Sequence, residues 1–185
     1  LSGVVVARWQ DWDGRGIEHL VLREGPREIV AESVVVASAG GSEFALRYRI
    51  RCDKSWRVRK AEIVVVGEPR AIEIAGDGKG NWSDASGKPL RKLHGAIDID
   101  LSVTPFTNTL PIRRLKLRKG ASADIVTVYI VAPALTITTD PQRYTCLEPR
   151  KRYRYESLDS DFTRDIEVDD QSMVVAYPGL FRRVL

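Results

Sequence analysis

With 185 residues, 29 lysines and arginines against 25 acidic side chains and a net charge of +4, the chain is long enough for one domain, 1–185, with a sizeable core. Charges of both signs are interspersed, which excludes a disordered acidic or basic tail and gives only a mild preference for anionic company. Cys52 and Cys146 form neither a CxxC pair nor a zinc-like spacing with the two histidines; no metal or cofactor is expected, and a reduced, cytoplasmic chain is the simplest reading, one disulfide being the alternative.

Taken in chain order, Val4 to Trp9, Gly16 to Arg23 and Glu28 to Ala37 are short runs rich in β-branched residues and read as strands. Phe44, Leu46, Tyr48, Ile50 and Cys52 alternate with Ala45, Arg47, Arg49 and Arg51, which predicts a strand with one apolar and one basic face. Trp56 to Val66 repeats the pattern a few residues later and predicts a hairpin partner. Ala71 to Ala75, Leu90 to Leu101, Asp124 to Val131 and Leu135 to Thr139 follow, then Arg143 to Leu147, Lys151 to Leu158, Phe162 to Val168 and Met173 to Tyr177. Turn chemistry such as Gly40-Gly41, Asp77-Gly78 and Asp140-Pro141 separates them. So many short strands predict an all-β fold, an incompletely closed antiparallel β-barrel or roll with one short helix, because a flat sheet would leave an apolar face wet. Leu1 to Val6 is too short for a signal-peptide core, no run is long enough for a transmembrane helix, and the missing initial methionine leaves a preceding segment open.

The run Thr104-Pro-Phe-Thr-Asn-Thr-Leu-Pro-Ile-Arg-Arg-Leu115 breaks this pattern. Two prolines stiffen it, and Thr107 or Asn108 is placed to cap a helix through Leu110 to Leu117 with Pro111 in its first turn. Such a turn presents hydroxyls, an amide and the Arg113 and Arg114 guanidinium groups at the mouth of whatever the sheet encloses. With Gly16-Ile-Glu-His-Leu20 and Tyr177-Pro-Gly-Leu-Phe-Arg182, this run resembles a bacterial family described as putative glycolipid-binding, and the likeness covers nearly the whole chain. The family pattern commonly has a cysteine where Ala96 stands and an acidic residue where Ala176 stands.

The resemblance implies a lipid or glycolipid ligand. The residues themselves allow an apolar groove walled by Trp9, Trp12, Trp56, Trp82, Phe106 and Phe181, although ordinary core is the commoner role for large aromatic side chains such as these. The candidate ligand-binding set is Trp56, Thr104, Phe106, Thr107, Asn108, Thr109, Arg113, Arg114 and Tyr177, with the arginines holding phosphate or carboxylate or, alternatively, pairing with Asp98 or Asp100. Pro178 and Gly179 fit a type II turn that folds Leu180 and Phe181 back onto the core as a docked terminus.

Two other functions compete. An enzyme would use His19 with Asp98 and Asp100, which share a face if they lie on a strand; Glu18 and His19 face opposite ways, so only one of them can look into a cavity. No hydrolase elbow or phosphate loop accompanies them. An anionic polymer would use Arg47, Arg49, Arg51, Arg57 and Arg59 with the Arg150 to Tyr155 segment, but acidic neighbours make a solvated sheet face the simpler reading, and no nucleic acid is expected. Open sheet edges leave both monomer and dimer open.

Overall fold

The structure, a computed structural model, describes residues 3–185. Leu1 and Ser2, on which part of the signal-peptide reading rests, lie outside the described residues. Fourteen strands form one sheet. In chain order they are β1 (Gly3–Asp11), β2 (Ile17–Glu24), β3 (Ile29–Ala39), β4 (Ser42–Cys52), β5 (Val58–Val65), β6 (Ala71–Gly76), β7 (Trp82–Asp84), β8 (Asp98–Leu101), β9 (Ser122–Val131), β10 (Thr136–Glu148), β11 (Arg152–Ser157), β12 (Thr163–Val168), β13 (Val174–Tyr177) and β14 (Phe181–Arg183).

The order across the sheet is β7 through β1, then β14 down to β8, so two seven-strand meanders meet where β1 pairs with β14. All pairs are antiparallel except β8 with β9. The C-terminal tail is thus a joining strand: Phe181 opposes Asp11, and the Trp12 amide donates to the Leu180 carbonyl at 2.8 Å. The turn before it follows the expected chemistry, with Gly179 at φ +81° and the Leu180 amide donating to Tyr177.

Between the edges β7 and β8 the sheet does not close by strand pairing, and the connecting segment laces the seam instead. The Leu90 amide donates to the Trp82 carbonyl at 2.8 Å, the Gly95 amide to Gly80 at 2.9 Å, and the Trp82 indole to Ala96 at 2.7 Å. This requirement explains why Leu90 to Leu101 is not one strand. It begins with a single 3-10 turn at Arg91–Leu93, reverses at Gly95 with φ +92°, and only Asp98–Leu101 pairs. Two other expectations are corrected. Trp56 lies in the β4–β5 turn at φ +63°, held by its amide to Asp53, and not in a strand. Strand β10 runs straight through Asp140-Pro141, with Pro141 opposite Val126; the proline's missing donor falls where the ladder to β11 is ending, so it costs little.

The alternation read from sequence matches the observed faces. Leu46, Tyr48, Ile50 and Cys52 are buried while Arg47 and Arg49 are exposed, and Arg49 reaches Glu32 at 3.4 Å on the outer face. Such exposed pairs contribute up to about 1 kcal/mol each. Cys52 and Cys146 are free thiols in two separate core clusters, so the disulfide alternative is not realised. Tyr153 and Tyr155 turn inward with the second cluster, while Arg152 and Arg154 between them stay exposed, so this segment does not present its tyrosines beside its arginines on the outer face.

One helix, α1 (Thr109–Leu115), follows a 3-10 turn at Phe106–Asn108. Both, with β8, occupy the interior: Thr104, Phe106, Thr107, Asn108, Thr109, Leu110 and Ile112 are all buried. No side chain caps the helix, since the preceding 3-10 turn supplies its first carbonyls; Lys116 ends it in the left-handed region at φ +50°. Pro111 sits in the first turn as the sequence requires.

The seam yields a prediction. A Cβ on Gly80, at φ +97°, would stand 2.9 Å from the Gly95 Cα, whereas one on Gly87, at φ +83°, would meet nothing. Gly80→Ala should therefore destabilise by at least about 2 kcal/mol, and Gly87→Ala by about 1 kcal/mol, in urea denaturation.

Candidate functional site

The direction of the strands sorts the candidate residues between two ends of the sheet. At one end lie the turns β1–β2, β3–β4, β9–β10, β11–β12 and β13–β14; at the other lie β2–β3, β4–β5, β10–β11 and β12–β13. The central run enters the interior at the first end, after β8, and α1 carries it toward the second.

At the second end, Arg113 is fully engaged. It donates to the Glu24 carboxylate at 2.8 Å and the Gln171 carbonyl at 2.9 Å, and its guanidinium lies 4.4 Å from the Trp56 ring centroid. Arg114 grips Asp98 through two nitrogens, with contacts of 3.1, 3.1 and 2.5 Å. Burial pushes the Asp98 carboxyl up, and the Arg114 fork opposes that. Of the two roles that the sequence leaves open for these arginines, the structural one is what their contacts express.

At the first end, two depressions share Ser102, Leu180 and Phe181 as a common wall. The larger, about 540 Å³, is an apolar groove. Trp9, Val35, Val103 and Phe181 form its walls, while Gly16, Ala37, Ala39 and Ala132 are too small to fill it. Trp12, Ile17, Val36 and Leu180 leave an exposed apolar rim. The smaller depression, about 370 Å³, is polar, with Asp100, Asp140, Asp159, Thr104 and Asn108 among Tyr129, Tyr155, Phe162 and Tyr177.

The polar depression is built on a hydrogen-bonded floor. The Gln142 amide nitrogen donates to Asp100 and to Asp140, each at 2.7 Å, and the Thr107 hydroxyl donates to the other Asp100 oxygen at 3.2 Å. Tyr144 donates to the Asn108 carbonyl at 2.8 Å, which fixes Asn108 so that its own amide reaches Pro105. Burial first, and then the Asp140 charge, push the Asp100 carboxyl up to about 6.

Thr104, Asn108 and Tyr177 therefore line this end, with Thr107 supporting them from behind. Phe106 stacks on Tyr48 in the core at 6.4 Å, and Thr109 faces the Met173 sulfur, so neither lines the depressions. Trp56 and Arg113 belong to the opposite end. His19 is exposed on the outer face, accepting from Arg8 at 3.1 Å, which separates it from Asp98 and Asp100. Asp98, bound to Arg114, is likewise separated in role from Asp100.

Glu18 was not among the candidates and is the inward-facing member of the Glu18-His19 pair. Only 3 % exposed, it lines the apolar groove. Its Oε1 accepts from Ser33 at 2.7 Å and from Tyr48 at 2.6 Å, and Tyr48 lies 3.3 Å from the Thr104 hydroxyl. Burial pushes its carboxyl up to about 7, against the lowering effect of these donors. A signal for it exists in the sequence: Glu18 has the same parity as Leu20 and Leu22, which are buried on the same strand.

The profile of a family described as "Putative glycolipid-binding" matches residues 6–183. The chain is also similar to a DUF1089 family protein from Pseudomonas aeruginosa of known crystal structure, at 37% identity, covering 90% of this chain and 92% of that one with a TM-score of 0.80. No curated protein matches the chain. Among the described residues, no helix is long and apolar enough to cross a membrane.

Two predictions follow from the geometry. Arg114→Ala leaves the Asp98 charge buried without its partner and should cost about 3–5 kcal/mol in urea denaturation, while Arg113→Ala, whose partner Glu24 is only partly buried and can be solvated, should cost about 1 kcal/mol. Glu18 binds its proton more tightly folded, at about 7 against an ordinary 4.5, so its contribution favours the folded state at low pH and is lost as pH rises from 4.5 to 7. Against wild type, Glu18→Gln should remove a decline of up to about 3 kcal/mol over that window, read as melting temperature against pH.

Proposed function

The chain belongs to the family described as putative glycolipid-binding, and from that membership together with the two-part depression we propose that it binds one amphiphile, tail in the apolar groove and hydroxyl-rich head in the polar depression. The observation that carries this reading is the shared wall of Ser102, Leu180 and Phe181, which makes an apolar and a polar compartment contiguous at one end of the sheet. A tail of eight carbons buried there would contribute roughly 6 kcal/mol before ordering costs.

The head is a neutral sugar in this reading. The charged groups of the polar depression are carboxylates, Asp100, Asp140 and Asp159, which accept from sugar hydroxyls and repel phosphate. Tyr129, Tyr155 and Phe162 supply ring faces for stacking. Arg114 and Arg113, the cations of the central run, are engaged by Asp98 and Glu24. A second reading, glycoside hydrolysis, is favoured by one observation: Asp100 and Asp140 are held by the same Gln142 nitrogen inside this depression. Release of free sugar from a glycolipid by wild type, and its loss in Asp140→Asn, would support that activity over binding alone.

The test of the binding reading is a fluorescent acyl-chain probe titrated with a competing glycolipid. Wild type should take up one probe per chain and release it to the competitor. Ala37→Phe, which fills the groove with apolar volume, should weaken uptake by at least about tenfold with a melting temperature within a few degrees of wild type. Equal uptake by the variant would move the ligand elsewhere.

A further inference from the structure

Glu18 is a buried carboxyl on the wall of an otherwise apolar groove, and its two oxygens are treated differently. Oε1 accepts from both the Ser33 and the Tyr48 hydroxyls. Oε2 is buried and has no hydrogen-bond partner among the described residues. The donors fix which oxygen is which. The Phe106 amide donates to the Thr104 hydroxyl oxygen at 3.0 Å, which leaves the Thr104 proton for Tyr48, 3.3 Å away, and the Tyr48 proton for Glu18. With Ser33 and Tyr48 both donating to Oε1, a neutral Glu18 carries its proton on Oε2, where the O–H has no acceptor among the described residues, and a buried O–H without an acceptor is costly.

The surroundings favour the neutral acid. Trp9 and Val35 are its neighbours across β1 and β3, and no lysine or arginine lines the groove among the described residues. The titratable groups facing Glu18 are Tyr48 from β4 and, along the groove wall, Asp11 and Asp13 from the β1 end. Tyr48 is held neutral far into alkaline pH by burial and by the Glu18 charge. Asp11 and Asp13 are acids, so no opposite charge faces the Glu18 carboxylate, and the Tyr48 and Ser33 hydrogen bonds only partly offset the cost of its burial.

We propose that Glu18 is a ligand-binding residue whose Oε2–H donates a hydrogen bond to the carbonyl oxygen of an acyl chain, so that the groove selects acyl amphiphiles, esters or amides, over alkyl ones. The placement suits an acyl junction. Through Tyr48 the acid is linked to Thr104, which lines the polar depression, so Glu18 stands where a tail would begin and a head would end. Ionisation replaces the donor with a charge that an ester oxygen repels, so selectivity for the acyl group disappears as pH rises through about 7.

This inference rests on the binding reading above, and the test separates the two. Octanoyl glucose ester and octyl glucoside share head and chain length but differ in the carbonyl; their affinities are measured by calorimetry at pH 5.5 and pH 8.5, with free octanoate as a third ligand to distinguish an ester from a fatty acid source. At pH 5.5 the ester should bind wild type about tenfold more tightly than the glucoside, the worth of one buried hydrogen bond, and at pH 8.5 the two should bind alike. Glu18→Gln, whose amide keeps a donor at the Oε2 position, should retain the preference at both pH values, and Glu18→Ala should lose it at both. The pH comparison on wild type needs no variant and stands if a substitution fails to fold. Equal binding of ester and glucoside at pH 5.5, or a preference that survives at pH 8.5 in Glu18→Ala, would overturn the role of Glu18 while leaving the groove intact. Binding of neither at either pH would overturn the groove itself.

Discussion

The constraint on which the rest of the structure depends is the inner face of one very wide sheet. Fourteen strands curl far enough that their apolar sides face one another, yet too widely to fill the interior with their own side chains. The chain answers with its own midsection, residues 98–115, which passes through the interior as a strand, a 3-10 turn and one short helix. That solution carries polar backbone and charge into the core, and the hydrogen bonds that satisfy them determine everything nearby. Arg114 neutralises Asp98, Tyr144 holds Asn108, and Thr107 with Gln142 holds Asp100.

A short plug cannot fill both ends. Toward the β4–β5 and β12–β13 turns the helix end is closed by Arg113, Trp56 and Glu24. Toward the other end the interior stays open, because Gly16, Ala37, Ala39 and Ala132 line it with little volume. The open end is where two buried carboxyls sit, Glu18 with one oxygen unpartnered among the described residues and Asp100 held by Thr107 and Gln142, and their raised pKa values follow from that burial.

Much of the fold was legible because alternation is a local property. Leu46, Tyr48 and Ile50 announce their face without reference to any partner, and turn residues such as Gly179 need only their own φ. The misreadings share a cause: each depends on a distant partner. Leu90 to Leu101 breaks because it must lace β7 to β8 across the seam, and β10 survives Pro141 because the neighbouring ladder ends there. The run around Asn108 was recognisable as unusual, but its polar character suggested a rim, whereas it is the buried plug whose hydroxyls and amide bind one another and the core. Thr104, Asn108 and Tyr177 nonetheless reach the open end, and Glu18 was discoverable from its parity with Leu20. What alternation could not supply was the pairing of Arg113 with Glu24, 89 positions away.

The most direct measurement is native mass spectrometry of the protein purified from its own host, followed by extraction and identification of what it releases. One acylated, sugar-bearing lipid per chain is the expected result. Protein that carries nothing and takes up no acyl lipid from a host extract would contradict the claim that the open end of this sheet is a lipid site.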